Sequence, residues 1–242
     1  MVQVNKVFLV SGNAGQGKTT IAKNLAFALR MFGFDVLLVD ADLRTPKMGH
    51  HVGMPLVNKT IQQVLLGNVS LRDAIYSKSS GLKLLLSGLS DIEVPHPSSL
   101  LPELKKLAGV IIIDVPSYDK KWYDTGCDTI LVSQADFPSV LEVQKLSKLA
   151  KVSYVVLNRA RYDGVDLSPG NINELVRRPL LGFVPEEPAT REALKYGYSI
   201  VEFHPELKAS AVLKQMAAKL MNLEYKSVPR ARMFLKRFGL MS

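Results

Sequence analysis

The stretch Ser11–Thr20, SGNAGQGKTT, constrains this chain more than any other, because it fits the pattern G-x-x-x-x-G-K-S/T through Gly12, Gly17, Lys18 and Thr19. The apolar run Val7–Val10 precedes it, and a segment from Thr19 with Ile21, Leu25 and Leu29 on one face follows it. Strand, glycine-rich turn and helix in this order wrap backbone N–H groups around phosphates at the positive end of a helix dipole. Asn13, Ala14, Gly15, Gln16 and Thr20 complete the expected cradle with the four patterned residues. Lys18 would reach the β- and γ-phosphates of ATP, and the Thr19 hydroxyl would ligate Mg2+. The plain alternative is a glycine-rich turn with no ligand.

The rest of the chain repeats the same alternation. Strands are expected at Val7–Val10, Val36–Val39, Leu82–Leu86, Val110–Ile113, Thr129–Val132, Tyr154–Leu157 and Leu181–Val184. Several are continuous Val/Ile/Leu runs, the pattern of strands covered on both faces and hence of a parallel sheet. Helices are expected at Thr19–Phe32, closed by Gly33, and at Ser98–Leu107, Ser139–Lys148, Asn171–Arg177 and Pro205–Asn222. The fold class is therefore α/β: a doubly wound, mostly parallel sheet of about seven strands flanked by helices. Residues 1–225 read as one phosphate-loop domain and 226–242 as a tail, with Tyr225–Pro229 as the boundary.

Carboxylates stand at two strand ends, where a cation and an attacking water need oxygen ligands. VIIIDVPS places Asp114 after an apolar run as a Mg2+ ligand, and VLLVDADLRTP places Asp40 and Asp42 after another. Asp42 is the candidate for positioning the attacking water or a Mg2+-bound water, with Asp40 supporting it from the same side of the strand. A lone strand-end aspartate caps a helix about as often.

The formal charge of +9 is not spread evenly: Lys226, Arg230, Arg232, Lys236 and Arg237 supply +5 of it in a tail without any acid. The single cysteine, Cys127, cannot form an internal disulfide, and no early apolar run has signal-peptide length, so a cytoplasmic location is expected. No stretch approaches the ~20 apolar residues of a spanning helix.

With these residues in place the chain resembles the MinD/ParA group of deviant Walker-type ATPases, and within it the archaeal-type MinD-like proteins most closely. GKTTIAKNLAFAL, VLLVDADL, LLGNVSLRDAIY, GLKLLLSGLS, IIIDVPS, VVLNRA, LLGFVPEEPATREALKYG and ASAVLKQMAAKLM carry the resemblance over nearly the whole chain. It implies a Mg-ATPase whose ATP form dimerises face to face and binds membrane or DNA. It also implies that Asn158 and the Pro185, Glu186 and Glu187 backbone line the adenine. One position departs: where the family places a signature lysine that crosses the dimer to the partner's phosphates, this chain has Asn13. An amide supplies no such charge, so hydrolysis is expected to be slow or to use another route. SGNAGQGKTT with DADLRTPKMGHHVGMP also resembles the bacterial tyrosine kinases, which lack that lysine too. Those enzymes end in a tyrosine cluster, and here only Tyr225 lies near the end.

The tail SVPRARMFLKRFGLMS groups Phe234, Leu235, Phe238 and Met241 at helical spacing, bordered by Arg230, Arg232, Lys236 and Arg237. This is the pattern of an interfacial anchor on an anionic membrane, and it resembles the membrane-targeting tail of MinD. An ordinary docked helix is the alternative. DNA is the less favoured partner, because the body shows no basic stripe and DNA does not need apolar residues grouped on one face. A protein partner is expected but unnamed by any motif. His50 and His51, being adjacent, read as solvated loop residues and not as metal ligands. His204 is expected just before a helix start at Pro205. Trp122 and Tyr123 read equally as a partner contact or as packing over their loop.

Overall fold

The computed structural model describes residues 5–90, 92–161 and 169–225. Eight strands form one sheet: β1 (Lys6–Gly12), β2 (Val36–Asp40), β3 (Ile75–Ser77), β4 (Lys83–Leu85), β5 (Val110–Asp114), β6 (Asp128–Ser133), β7 (Val152–Ala160) and β8 (Leu180–Pro185). Their order is β3-β4-β2-β5-β1-β6-β7-β8. All neighbours run parallel except β3 and β4. All seven expected strands are present. The eighth, β3, is a three-residue antiparallel edge strand, too short and too half-buried to leave a pattern in the sequence.

Alternation along each strand feeds two cores. Phe8, Val10, Val110 and Ile112 face one side, where Leu25 and Leu29 of the helix Lys18–Met31 and Leu213 and Met216 of the helix Lys208–Leu220 cover them. Leu9, Ile111 and Ile113 face the other side with Trp122, Val140 and Val143. Burial on both faces is why the strands read as unbroken apolar runs. Strands β2 to β5 lie to one side of β1, and β6 to β8 lie to the other. The chain thus reverses direction across the sheet at β1, and a crevice opens beyond its carboxyl end. No helix among the described residues is long and apolar enough to cross a membrane.

Helix boundaries correct two expectations. The helix over Ser98–Leu107 is instead a 3-10 turn, Pro97–Leu100, followed by one α-turn, Leu101–Leu104. Pro102 has no N–H to return to Ser98, so a continuous helix cannot form there. The last helix starts at Lys208 and not at Pro205; His204 closes the short helix Ile200–Phe203 instead. Gly33 does follow the first helix as expected, with φ 85° and its N–H on Arg30 O at 2.9 Å. The described residues end at 225, so the tail residues Arg230, Arg232, Phe234, Leu235, Lys236, Arg237, Phe238 and Met241 lie outside them.

Candidate nucleotide site

β1 ends in Gly12 and the helix begins at Lys18, so residues 13–17 form the loop between them. Two glycines are obligatory here. A Cβ on Gly12 (φ 144°) would meet Val132 O at 2.2 Å, and one on Gly17 (φ 89°) would meet Asn158 Nδ2 at 2.2 Å. The loop is tied to its surroundings on both flanks. Gln16 donates to Ser139 Oγ at 3.0 Å and accepts the Gln134 N–H at 2.7 Å, while Asn158 Nδ2 donates to Gln16 O at 2.9 Å. Asn13 Oδ1 accepts the Ala14 N–H at 2.8 Å.

Lys18 lies against this loop. Its ammonium donates to Asn13 O at 3.1 Å and Ser117 Oγ at 3.0 Å, and Ser117 in turn donates to Gly12 O at 2.8 Å. Burial pulls Lys18 below the usual lysine range, against attraction from Asp114 and Asp42. Ser117 was not anticipated as a site residue, although it ends the quoted VIIIDVPS; nothing in its spacing shows that the loop after β5 folds back over the phosphate loop. Tyr123 belongs to the same contact, its hydroxyl 2.7 Å from Ser11 Oγ. Trp122 is fully buried and Tyr123 nearly so, which settles their role as packing over the loop.

The Thr19 hydroxyl donates to Asp114 Oδ2 at 2.6 Å. Asp114 is 4% exposed, and its Oδ1 is buried without a hydrogen-bond partner among the described residues. Burial raises its pKa to about 7, opposed by the Thr19 bond and by Lys18. A hydroxyl and a carboxylate with an unused oxygen, beside a phosphate cradle, are the oxygen donors Mg2+ takes when phosphates and water complete its shell. Among the described residues no three acidic, histidine or cysteine side chains cluster as a cage of their own. The residues therefore fit a cation held together with phosphates, with Thr19 and Asp114 as its protein side.

Asp40 and Asp42 separate in role. Asp40 is fully buried; Oδ1 accepts the Asp42 N–H at 3.2 Å and Oδ2 the Met48 N–H at 3.1 Å. Burial, and then Asp114, holds its pKa well above the usual carboxylate range. Its carboxylate holds the loop after β2 and supports Asp42 through the backbone N–H it accepts. Asp42 lies beyond the end of β2, so strand alternation does not reach it. Its carboxylate caps a turn by accepting Arg44 N–H, Thr45 N–H and the Thr45 hydroxyl. Its charge opposes the lowering of Lys18 and adds to the raising of Asp114.

Beyond the loop a cavity of about 270 Å³ is lined by Thr20, Lys23, Asn158, Pro185, Glu186 and Glu187, among others. All four residues expected around a base thus border one cavity, which Thr20 in the first turn of the helix after the phosphate loop also lines. Lys23 was not anticipated: it is 2% exposed, donates to His51 O at 3.0 Å and Tyr198 O at 2.7 Å, and burial lowers its pKa to about 8. His51 is not the solvated residue expected, since it sits on a short helix against this cavity and burial lowers its pKa to about 4.

A doubly wound sheet whose central strand delivers a glycine-rich loop, with lysine, threonine and a strand-end aspartate converging on it, defines a phosphate-loop nucleotide-binding protein. More narrowly, the chain belongs to the family of the CobQ/CobB/MinD/ParA nucleotide binding domain, whose pattern it matches over residues 7–200. It is similar to an uncharacterised ATP-binding protein of Methanocaldococcus jannaschii, 29% identical over 91% of this chain and 89% of that protein. It is also similar to the chloroplast septum site-determining MinD homologue of Arabidopsis thaliana, 26% identical over 96% of this chain and 81% of that one. Among solved structures, MinD of Pyrococcus horikoshii complexed with Mg-ADP superposes with a TM-score of 0.80, at 27% identity, covering 90% of this chain and 96% of that one.

Proposed function

We propose that this protein is a MinD-like Mg-ATPase that works as a nucleotide-dependent association switch at a membrane surface. The Thr19–Asp114 pair at 2.6 Å, with Asp114 Oδ1 left free, is the observation that carries the reading. In this reading loop N–H groups and Lys18 bind the phosphates, while Thr19 and Asp114 hold Mg2+, which supplies charge neutralisation at the phosphates. Asp42 orients the attacking water at the rim. Asn158 and Pro185–Glu187 bind the adenine in the adjoining cavity. The relative solved with Mg-ADP supports the choice of ligand.

The output is association. ATP brings two copies together face to face, and the pair attaches peripherally, from the cytoplasmic side, to anionic lipid through residues 226–242. Each basic residue near such a surface contributes about 1 kcal/mol, so one tail binds marginally. Two tails on a dimer act together, and membrane residence then follows the nucleotide state. The bound dimer positions or recruits a partner protein. Liposome co-sedimentation with ATP and with ADP tests the reading; binding indifferent to nucleotide would overturn the switch. A second reading, a scaffold that binds ATP but barely hydrolyses it, is favoured by Asn13, whose amide is occupied in bonding Ala14 N–H. Single-turnover hydrolysis that disappears in Asp42→Ala would exclude that scaffold.

A further inference from the structure

Arg159 interrupts an otherwise parallel pairing. β7 and β8 pair Asn158 with Val184 and Ala160 with Pro185, so Arg159 is the extra residue of a bulge and opposes no residue of β8. Its backbone is left-handed, with φ 55°, a conformation that strains a residue carrying a Cβ. Bulges beside binding sites re-aim a side chain. Asn158 and Ala160 on either side are buried, whereas Arg159 is exposed.

The redirected residue touches both parts of the nucleotide site. Its Nη1 donates to Gly15 O of the phosphate loop at 3.4 Å, and it lines the same cavity as Thr20, Asn158 and Pro185. The Gly15–Gln16 peptide is trans, so its C=O and N–H point in opposite directions. With the carbonyl turned to Arg159, the Gln16 N–H turns away from it. The guanidinium therefore stands off the N–H side of this peptide, where the phosphates go in the nucleotide reading, and borders the cavity instead. It is not committed to a carboxylate: Glu186, just beyond β8, is paired with Arg161 at 2.6 Å, and Arg159 makes no ion pair among the described residues. A planar cation beside a cavity walled by Val184, Pro188 and Leu194 is suited to packing on the face of an aromatic ring.

We propose that Arg159 clamps the base: its guanidinium packs on the face of the base of a nucleotide held by the phosphate loop, and the strained bulge is kept for that contact. It acts on diphosphate and triphosphate alike and does not touch the phosphates. This rests on the nucleotide-binding reading above.

The test uses the full chain with Mg2+ and a ribose-labelled fluorescent ADP analogue, displaced by ADP, by the non-hydrolysable triphosphate AMPPNP or by tripolyphosphate, which has no base. Arg159→Ala and Arg159→Gly are expected to weaken ADP and AMPPNP by the same factor, about fivefold, and tripolyphosphate by less than about twofold. Without nucleotide, Arg159→Gly should melt no lower than the wild type, because glycine takes the left-handed backbone without strain. No loss for the nucleotides, or an equal loss for tripolyphosphate, would overturn the clamp. So would an Arg159→Gly chain that melts lower yet binds nucleotide normally, since the bulge would then serve the fold alone. A wild-type chain that binds neither nucleotide would remove the underlying reading, and that failure is visible before any variant is compared.

Discussion

Thr19 in the first turn of the helix after the phosphate loop donates its hydroxyl to Asp114, the last residue of β5, at 2.6 Å. The bond spans two elements that meet only because β5 lies next to β1 in the sheet. Removing it should separate metal binding from phosphate binding. Thr19→Ala is expected to lower nucleotide affinity about tenfold with Mg2+ present and little in EDTA, as measured by titration calorimetry. Equal losses in both buffers would mean that the substitution distorts the loop and that Thr19 has no metal role.

The pKa of Asp114 gives a pH dependence with a definite sign. In the folded chain it is raised to about 7 from 3.8, chiefly by burial. Between those values the folded state keeps a proton that the unfolded state has released, so stability falls as pH rises through this window. Mg2+ requires the carboxylate, so Mg-nucleotide affinity should rise across neutral pH. Asp114→Asn should flatten the part of the Tm-against-pH curve that this residue contributes, a comparison accessible by scanning fluorimetry. An unchanged slope in the variant would assign the effect to another group, with buried Asp40 the first to examine.

Gly12 and Gly17 should not tolerate alanine equally. At Gly12 the new Cβ meets a backbone oxygen, Val132 O, whereas at Gly17 it meets the end of the Asn158 side chain. A side-chain amide can rotate away; a central strand cannot. Gly17→Ala is expected to cost about 1–3 kcal/mol from its left-handed backbone, and Gly12→Ala more, as read from denaturant midpoints. Gly17→Ala should also disturb the adjoining cavity, because Asn158, which lines it, must move. Equal midpoints for the two variants would contradict this contact argument.

The tail can be tested apart from the site. A chain ending at Lys226 is expected to bind nucleotide as the full chain does but to remain in the supernatant with anionic liposomes, where the full chain sediments with ATP and less with ADP. High salt should weaken but not abolish sedimentation if apolar side chains insert, since only the electrostatic part is screened. Sedimentation independent of residues 227–242 would exclude the tail as anchor.

Much of the molecule was legible in the sequence because the sheet is parallel and covered on both faces. Such strands must be apolar at every position, and VLLV and VIII announce themselves without any knowledge of their neighbours. The phosphate loop was legible for a related reason: its conformation depends on glycines within one short segment, so a local pattern encodes it. The edge strand β3 was hidden because half its surface is exposed and its pairing is with a strand a few residues on. The helix expected over Ser98–Leu107 failed because Pro102 interrupts its backbone hydrogen bonds.

By itself, then, the sequence determined the sheet, the loop and the residue types able to meet phosphate and magnesium, since these follow from periodicity and local backbone geometry. Only the tertiary structure decided what each aspartate touches. Asp40 and Asp42 differ by two positions, yet one is sealed under backbone amides and the other caps an exposed turn after β2. It also brought Ser117 onto Lys18, buried Lys23 and set His51 against the same cavity. These are contacts between segments far apart in the chain, and no local pattern specifies them; strand order and packing do.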